Sequence, residues 1–210
     1  MEDLMNVFVL CTGRCGSVSF IKACTHITNY SAGHESRVRC VGSQHFAYQP
    51  NHIEADNRLS WFLGTLDRVF GDDAFYVHLR RNDKDTARSF LNRWHFGIIA
   101  AFRSTIMIAP PEADPMVVCL DYVQTVNSNI QAFLKDKSQK MEMSLESMAT
   151  DFPKFWSQIG AQGDLSAALS EWNHLYNKFE PLTQHKPVAR NPLKKIVRIV
   201  RRLPEFVRQA

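Results

Sequence analysis

The chain has 210 residues, of which 45% are hydrophobic and 22% are charged, which is ordinary for a globular protein with a substantial core. This composition excludes an intrinsically disordered chain, and no run of about 20 apolar residues predicts a membrane-spanning helix. Residues 190–210 carry seven basic side chains and one acid, which leaves 18 basic and 20 acidic side chains in the body. A near-neutral body with a basic tail argues against a nucleic-acid partner, because such domains spread positive charge over the folded face.

Five cysteines occur without a CxxC pair, at Cys11, Cys15, Cys24, Cys40 and Cys119. Their odd number and their spacing favour free thiols over a disulfide framework or a zinc site, and indicate a reducing compartment. The first six residues contain two acids and no basic segment of the kind that opens a secretory signal. The sequence therefore predicts a cytoplasmic protein.

The first predicted unit is a strand, a glycine-bearing loop and a helix. Residues 7–11 are a continuous apolar run, which is typical of a strand buried on both faces of a parallel sheet. Two glycines follow within the next six residues, and residues 18–25 have the pattern of a helix start. Strand, loop and helix in this order are the layout of a phosphate-binding unit.

The remainder of the chain alternates helical and strand-like patterns. We predict an irregular stretch over 29–51, strands over 74–79 and 141–145, and helices over 53–70, 83–94, 122–136, 152–159 and 165–177. This alternation predicts an α/β fold with a central, mostly parallel sheet flanked by helices on both faces.

The loop after the first strand has the parts of an anion-binding cradle. It reads Thr12-Gly13-Arg14-Cys15-Gly16-Ser17-Val18-Ser19. Glycines let the backbone approach a ligand, and the amides of the following helix favour a phosphate. Only two residues separate the glycines and no lysine follows, so the loop is not the Walker motif of ATP and GTP enzymes. A tight turn with purely structural glycines is the alternative interpretation.

A second polar group follows the predicted strand at 74–79. Arg81 stands at the end of that strand and Ser89 lies eight residues further along, in the second turn of the next helix. Asn82 or Asp83 can cap this helix. A guanidinium and a hydroxyl in this arrangement can bind one phosphate, since open α/β sheets bind ligands at their strand ends.

Together, the two segments resemble the donor-binding segments of the sulfotransferase family. Arg14-Cys15-Gly16-Ser17 is similar to the family's 5′-phosphosulfate loop, and Arg81 with Ser89 is similar to its 3′-phosphate segment. The resemblance covers about the first half of the chain, residues 7–94. It implies a three-layer fold like that of the P-loop NTPases, in a sulfotransferase-like domain over residues 1–190.

The resemblance also implies the chemistry. The family transfers a sulfuryl group from 3′-phosphoadenosine 5′-phosphosulfate to a hydroxyl or amine without a metal. Thr12, Gly13, Arg14, Cys15, Gly16 and Ser17 would hold the phosphosulfate, and Arg81 and Ser89 the 3′-phosphate. Arg14 would also neutralise charge on the leaving oxygen. Val18 stands where the family often has a second hydroxyl, which Ser19 could replace.

The acceptor must lose a proton, which requires a base near the transfer point. The family's second strand often ends in such a residue, and Gly33-His34-Glu35 falls at that place. We therefore predict Glu35 as the general base, with His34 as the alternative or as a substrate contact. Glu54 and Asp56 are weaker candidates, because acids at a helix start usually serve the helix dipole.

Residues 191–210 predict a basic amphipathic C-terminal helix. It either contacts anionic lipid peripherally, which suits a lipid-linked acceptor, or docks on the body with a solvated basic face. A small molecule or a carbohydrate is equally compatible as the acceptor. Two other functions stay open: a kinase-like P-loop phosphotransferase, and a non-catalytic nucleotide-binding or membrane-adaptor protein.

Overall fold

A single parallel sheet organises the protein, whose computed structural model describes residues 5–174 within one compact unit. The strands are β1 (Asn6–Cys11), β2 (Ser31–His34), β3 (His52–Ala55), β4 (Ala74–Arg80) and β5 (Lys140–Ser144). They lie in the order β2-β3-β1-β4-β5, and each neighbouring pair is parallel. The predicted α/β class is confirmed, and the sheet is entirely parallel in the described part of the chain.

Helices cover both faces of this sheet. They are α1 (Ser17–Cys24), α2 (Leu63–Phe70), α3 (Asp83–Leu91), α4 (Gly97–Ala101), α5 (Pro115–Leu134), α6 (Met148–Gln158) and α7 (Leu165–Ser170). One face packs against α1, α6 and α7, and the other against α2, α3, α4 and α5. Three layers result, as the resemblance implied.

Strand β1 explains why both faces are covered. Successive side chains of a strand point to opposite faces of the sheet. Val7 and Val9 accordingly lie in the core under α1 and α6, whereas Phe8 and Leu10 lie in the core under α2 and α5. All four are fully buried, so the strand requires apolar residues at every position.

The largest error of the sequence prediction concerns residues 53–70, which are not one helix. They begin with β3, continue through a 3₁₀ turn at Asn57–Trp61, and become helical only at Leu63. Glu54 therefore lies in a buried strand and not at a helix start. Asp56, in contrast, does cap the 3₁₀ turn, because its carboxylate accepts a hydrogen bond from the Arg58 amide.

The other predicted helix and strand boundaries differ less from those in the structure. The stretch predicted as irregular contains β2, and α5 begins at Pro115, capped by Asp114, well before the predicted residue 122. Helix α3 ends at Leu91, and α7 ends at Ser170 before a 3₁₀ turn at Glu171–Asn173.

The predicted C-terminal helix over 191–210 and the domain boundary at 190 lie outside the described residues. Within residues 5–174, no helix is long and apolar enough to cross a bilayer. The five cysteines are free thiols.

Candidate active site

The loop between β1 and α1 has the backbone of an anion-binding turn. Gly13, Arg14 and Gly16 all have positive φ, at 80°, 61° and 91°. Gly16 is the N-cap residue of α1 and has no side chain. The backbone amides in the first turn of α1 therefore receive no hydrogen bond from a capping side chain. Such amides, at the positive end of a helix, favour an anion.

Contacts with neighbouring parts of the chain fix the shape of this loop. A side chain at Gly16 would be strained by the φ of 91°, and its Cβ atom would lie 2.8 Å from Leu145 Cδ1, which would have to shift. The Cys15 side chain is fully buried in the core. Tyr122 donates a hydrogen bond of 2.7 Å to the Thr12 carbonyl, which ties the loop's first residue to α5. The loop is therefore held rigidly before any ligand arrives.

The two predicted donor-binding segments meet in space. Arg14 Nε donates a hydrogen bond of 3.0 Å to Ser89 Oγ, although the residues are 75 positions apart. Arg81 Nη1 donates to the Arg14 carbonyl at 3.4 Å. Parallel pairing of β1 with β4 produces this meeting, because it brings the carboxyl ends of both strands to one edge of the sheet.

Helix α3, which carries Ser89, is anchored at its start. The Asn82 side chain caps it by accepting a hydrogen bond from the Asp85 amide at 3.2 Å. The Asn82 amide in turn donates to Glu146 at 2.8 Å. Burial raises the pKa of Glu146, but the bonds from Asn82 and Ser144 outweigh burial and leave the pKa below its ordinary value.

Strand β2 brings His34 and Glu35 to the same edge. Ser17 Oγ and His34 Nε2 lie 3.1 Å apart, within hydrogen-bond distance, which joins the loop to β2. Glu35 follows directly, with a positive φ of 52° that non-glycine residues rarely adopt. Its carboxylate forms an ion pair of 2.8 Å with Arg58.

A buried carboxylate on β3 supports the unusual backbone at Glu35. Glu54 is fully buried and accepts hydrogen bonds from the Ser36 amide at 2.8 Å and the Ser36 hydroxyl at 2.5 Å. His52 Nε2 lies 3.0 Å from the same carboxylate. Gly33 leaves room for it, because a Cβ there would lie 2.8 Å from Glu54 Oε2. Ser36, which follows Glu35, is thus held by hydrogen bonds to Glu54 on the neighbouring strand β3.

A cavity of about 310 Å³ opens where these elements converge. Its polar wall contains Arg14, His34, Glu35 and Arg58, and its apolar wall comes mainly from residues 90–99. The complete lining is Gly13, Arg14, Ser17, Val18, His34, Glu35, Asn57, Arg58, Phe90, Arg93, Phe96, Gly97, Ile98 and Ile99. Burial lowers the pKa of the Arg14 guanidinium, as do the positive charges of Arg93 and Arg81. The cavity therefore concentrates positive charge beside the loop.

Comparison with solved structures identifies the fold. The chain is similar to the sulfotransferase domain from the curacin biosynthetic pathway, with a TM-score of 0.55 and 11% sequence identity over 86% of this chain and 80% of that one. It is also similar to the mouse sulfotransferase SULT7A1 complexed with PAP, with a TM-score of 0.52 and 13% identity over 82% of this chain and 65% of that one. The chain has a sulfotransferase fold. No protein-family model and no curated protein matches its sequence.

Within this sulfotransferase fold, most of the predicted site residues lie together. Gly13, Arg14, Ser17 and Val18 line the cavity with His34 and Glu35. Arg81 and Ser89 contact Arg14 from β4 and α3. Their proposed roles toward a donor and an acceptor stay predictions.

Six predicted residues do not line the cavity: Arg81 and Ser89, which contact Arg14, and Thr12, Cys15, Gly16 and Ser19. Thr12 is buried and bonds the Gly13 carbonyl through its hydroxyl, and the side chain of Cys15 belongs to the core. Ser19 lies in the first turn of α1 and does not line the cavity, whereas Val18 does. In this arrangement, Thr12 and Cys15 could meet a ligand only through the backbone.

Sequence reasoning missed two arginines of the cavity wall. Arg58 follows β3 and Arg93 follows α3, and neither belongs to a recognisable motif. Asn57, beside Arg58, was missed for the same reason. The only available signal was a basic residue directly after a strand or helix near the sheet's carboxyl edge, which is too common to be informative. Among residues 5–174, no cluster of three or more His, Cys, Asp or Glu could hold a metal ion.

Proposed function

We propose that the protein is a sulfotransferase that moves a sulfuryl group from 3′-phosphoadenosine 5′-phosphosulfate to an acceptor hydroxyl or amine. One observation carries the proposal: Arg14, Ser89 and Arg81, drawn from two distant motifs, form one connected group beside the amides of the loop. A nucleotide with phosphates at both its 5′ and 3′ positions needs two neighbouring groups of anion-binding residues. ATP has no 3′-phosphate for Arg81 and Ser89 to bind.

In the proposed reaction, the acceptor oxygen or nitrogen attacks sulfur while the bond from sulfur to the bridging phosphate oxygen breaks. The sulfuryl group passes to the acceptor, and 3′-phosphoadenosine 5′-phosphate leaves. Loop amides and Arg14 stabilise the negative charge that grows on the leaving oxygen. The acceptor's proton passes to a base on the opposite side of the cavity.

Glu35 is the proposed base, since its carboxylate lines the cavity at the end of β2. The ion pair of 2.8 Å with Arg58 holds this carboxylate in place. His34 is held by Ser17, which makes it better suited to orient the acceptor or the transferring group. Phe90, Phe96 and Ile98 exclude water from one side of the transfer point.

The first experiment is calorimetric titration with 3′-phosphoadenosine 5′-phosphate, AMP and magnesium ATP. We expect the bisphosphate to bind in preference to both others, and Arg81→Ala to weaken it by about tenfold or more, the effect of losing a bidentate charge-assisted contact. Arg88→Ala is the matched control, because Arg88 lies on the surface of α3 and, among residues 5–174, forms an ion pair with Asp85 alone, at 2.9 Å. Equal binding of AMP and the bisphosphate would refute the proposal, and magnesium ATP as the preferred ligand would support a phosphotransferase instead.

A second experiment separates an enzyme from a protein that only binds the nucleotide. The full chain is incubated with radiolabelled donor and a panel of phenols, sugars and lipid-linked alcohols. Transfer of label to any acceptor supports the proposal, whereas tight bisphosphate binding without transfer or donor hydrolysis supports the non-catalytic alternative.

A further inference from the structure

Arg93 differs from the other arginines of the cavity because its guanidinium has no polar partner. Arg14 bonds Ser89, and Arg58 pairs with Glu35. Within residues 5–174, in contrast, the Arg93 side chain forms no hydrogen bond or ion pair. Its Nε atom is buried without a hydrogen-bond partner.

The other neighbours of Arg93 in the cavity wall are apolar and aromatic side chains. Its guanidinium carbon lies 5.7 Å from the centre of the Phe96 ring, and the nearby cavity wall continues with Phe90 and Ile98. Apolar walls lower the local polarity and increase the cost of an uncompensated charge. The positive charge of Arg93 also acts on Arg14, where it adds to burial in lowering the pKa of that guanidinium. Arg93 and Arg14 thus both bring positive charge to the same cavity.

The backbone keeps Arg93 in this position. Its amide donates a hydrogen bond of 2.8 Å to the Phe90 carbonyl, which continues the chain in a turn beyond the end of α3. The Phe96 amide then donates to the Arg93 carbonyl at 3.0 Å. Arg93 lines the cavity together with the loop residues Gly13 and Arg14. Its backbone is therefore held by hydrogen bonds on both sides.

We propose that Arg93 forms an oxyanion subsite of the cavity, which binds a tetrahedral group of the sulfate or phosphate type beside Arg14. Guanidinium groups bind such oxyanions through directed, charge-assisted hydrogen bonds. Two sources could supply the group: the transferring sulfuryl of the donor, or an anionic substituent of the acceptor. The proposal deepens the proposed function and rests on it for the identity of the occupant, but the subsite itself can be tested without any transfer reaction.

The test uses inorganic sulfate as the probe and the full-length protein. Sulfate is titrated into wild type, Arg93→Gln and the surface control Arg88→Gln, each saturated with 3′-phosphoadenosine 5′-phosphate. We expect sulfate affinity to fall by about tenfold in Arg93→Gln, the loss expected for one strong charge-assisted hydrogen bond, and to be unchanged in the control. Affinity for the bisphosphate itself should be the same in all three, and Arg93→Lys should restore part of the sulfate affinity.

A second arm identifies the source of the oxyanion. If the intact donor excludes sulfate from wild type, Arg93 holds the sulfuryl of the donor. If sulfate still binds to the donor complex and the binding depends on Arg93, the subsite belongs to the acceptor. Either result supports the proposal.

Equal sulfate affinity in wild type and Arg93→Gln would overturn the proposal that Arg93 forms an oxyanion subsite. If wild type fails to bind the bisphosphate, the proposed function fails separately, and sulfate titration of the nucleotide-free proteins still tests the subsite.

Discussion

Gly33→Ala is a substitution that the geometry around Glu54 constrains sharply. The added methyl would lie 2.8 Å from Glu54 Oε2 and 3.1 Å from the His52 ring. Real side chains do not approach this closely, so the buried carboxylate must move. It can move only by loosening its bonds to the amide and hydroxyl of Ser36.

The expected cost follows from these contacts. Overpacking a filled site costs about 1–3 kcal/mol, and each hydrogen bond to a charged group contributes about 1.5–3 kcal/mol. The alanine also restricts the unfolded chain, which returns about 0.4–1 kcal/mol. We expect Gly33→Ala to lower the free energy of unfolding by about 2–3 kcal/mol, because the clash and partial loss of these bonds outweigh the entropic gain.

Equilibrium unfolding in urea, followed by tryptophan fluorescence, measures the effect. In a Glu54→Ala background the main clash is absent, and Gly33→Ala should cost about 1 kcal/mol or less. Gly64→Ala is the matched control: Gly64 lies in α2 with nothing within 4 Å of an added Cβ, so this change should stabilise by about 1 kcal/mol. Additive effects of the Gly33 and Glu54 substitutions, within about 0.5 kcal/mol, would refute the reasoning.

Three further outcomes follow from the same structure. Glu35→Gln should reduce sulfuryl transfer about 100-fold or more while calorimetry finds bisphosphate binding unchanged, because the carboxylate is proposed to act on the acceptor and not on the donor; near-normal turnover would exclude it as the base. Burial raises the pKa of Glu54, but hydrogen bonds from His52 and Ser36 outweigh burial and leave the pKa below its ordinary value. Ionised Glu54 therefore stabilises the fold above the unfolded pKa of about 4.3, and this contribution is lost as the pH falls through the folded pKa. Urea titrations of Glu54→Gln between about pH 6 and pH 3 should consequently have a flatter stability profile than wild type, and parallel profiles would contradict the hydrogen-bond account. Cys40 is the one cysteine that is not buried, so a thiol reagent should modify about one group per native chain, and Cys40→Ser should abolish that reaction; rapid modification of several groups would contradict the burial of the others.

The sequence was most informative where burial and function impose a pattern. Strands β1 and β4 lie at the centre of the sheet and are apolar at almost every position, so their continuous runs predict them directly. Strand β3 is equally buried but contains His52 and Glu54, whose polar groups satisfy each other. Nothing in the local pattern distinguishes that pair from an exposed helix face, which is why the strand was missed.

In the candidate site, too, some residues could be predicted from the sequence and others could not. The residues predicted to bind the donor belong to two motifs, and the spacing of these motifs can be read directly from the sequence. Arg58 and Arg93 reach the cavity only because β3 pairs with β1 and because α3 packs on the sheet. Their relevance depends on contacts between distant segments, which no local pattern encodes. The predicted roles of Glu35 and His34 stay predictions, although both lie where the family resemblance places them.

The walls of the cavity come from different kinds of structure. The residues proposed to bind the donor lie at the ends of central strands, where packing on both faces restricts change. The apolar wall comes largely from the chain after α3, and its residue Phe96 is 45% exposed. Substitutions at Phe96 and Ile98 should therefore be tolerated far better than changes at Gly13 or Gly16. For protein engineering, a library confined to residues 96–98 could vary which acceptors are used while the machinery for the common donor stays intact.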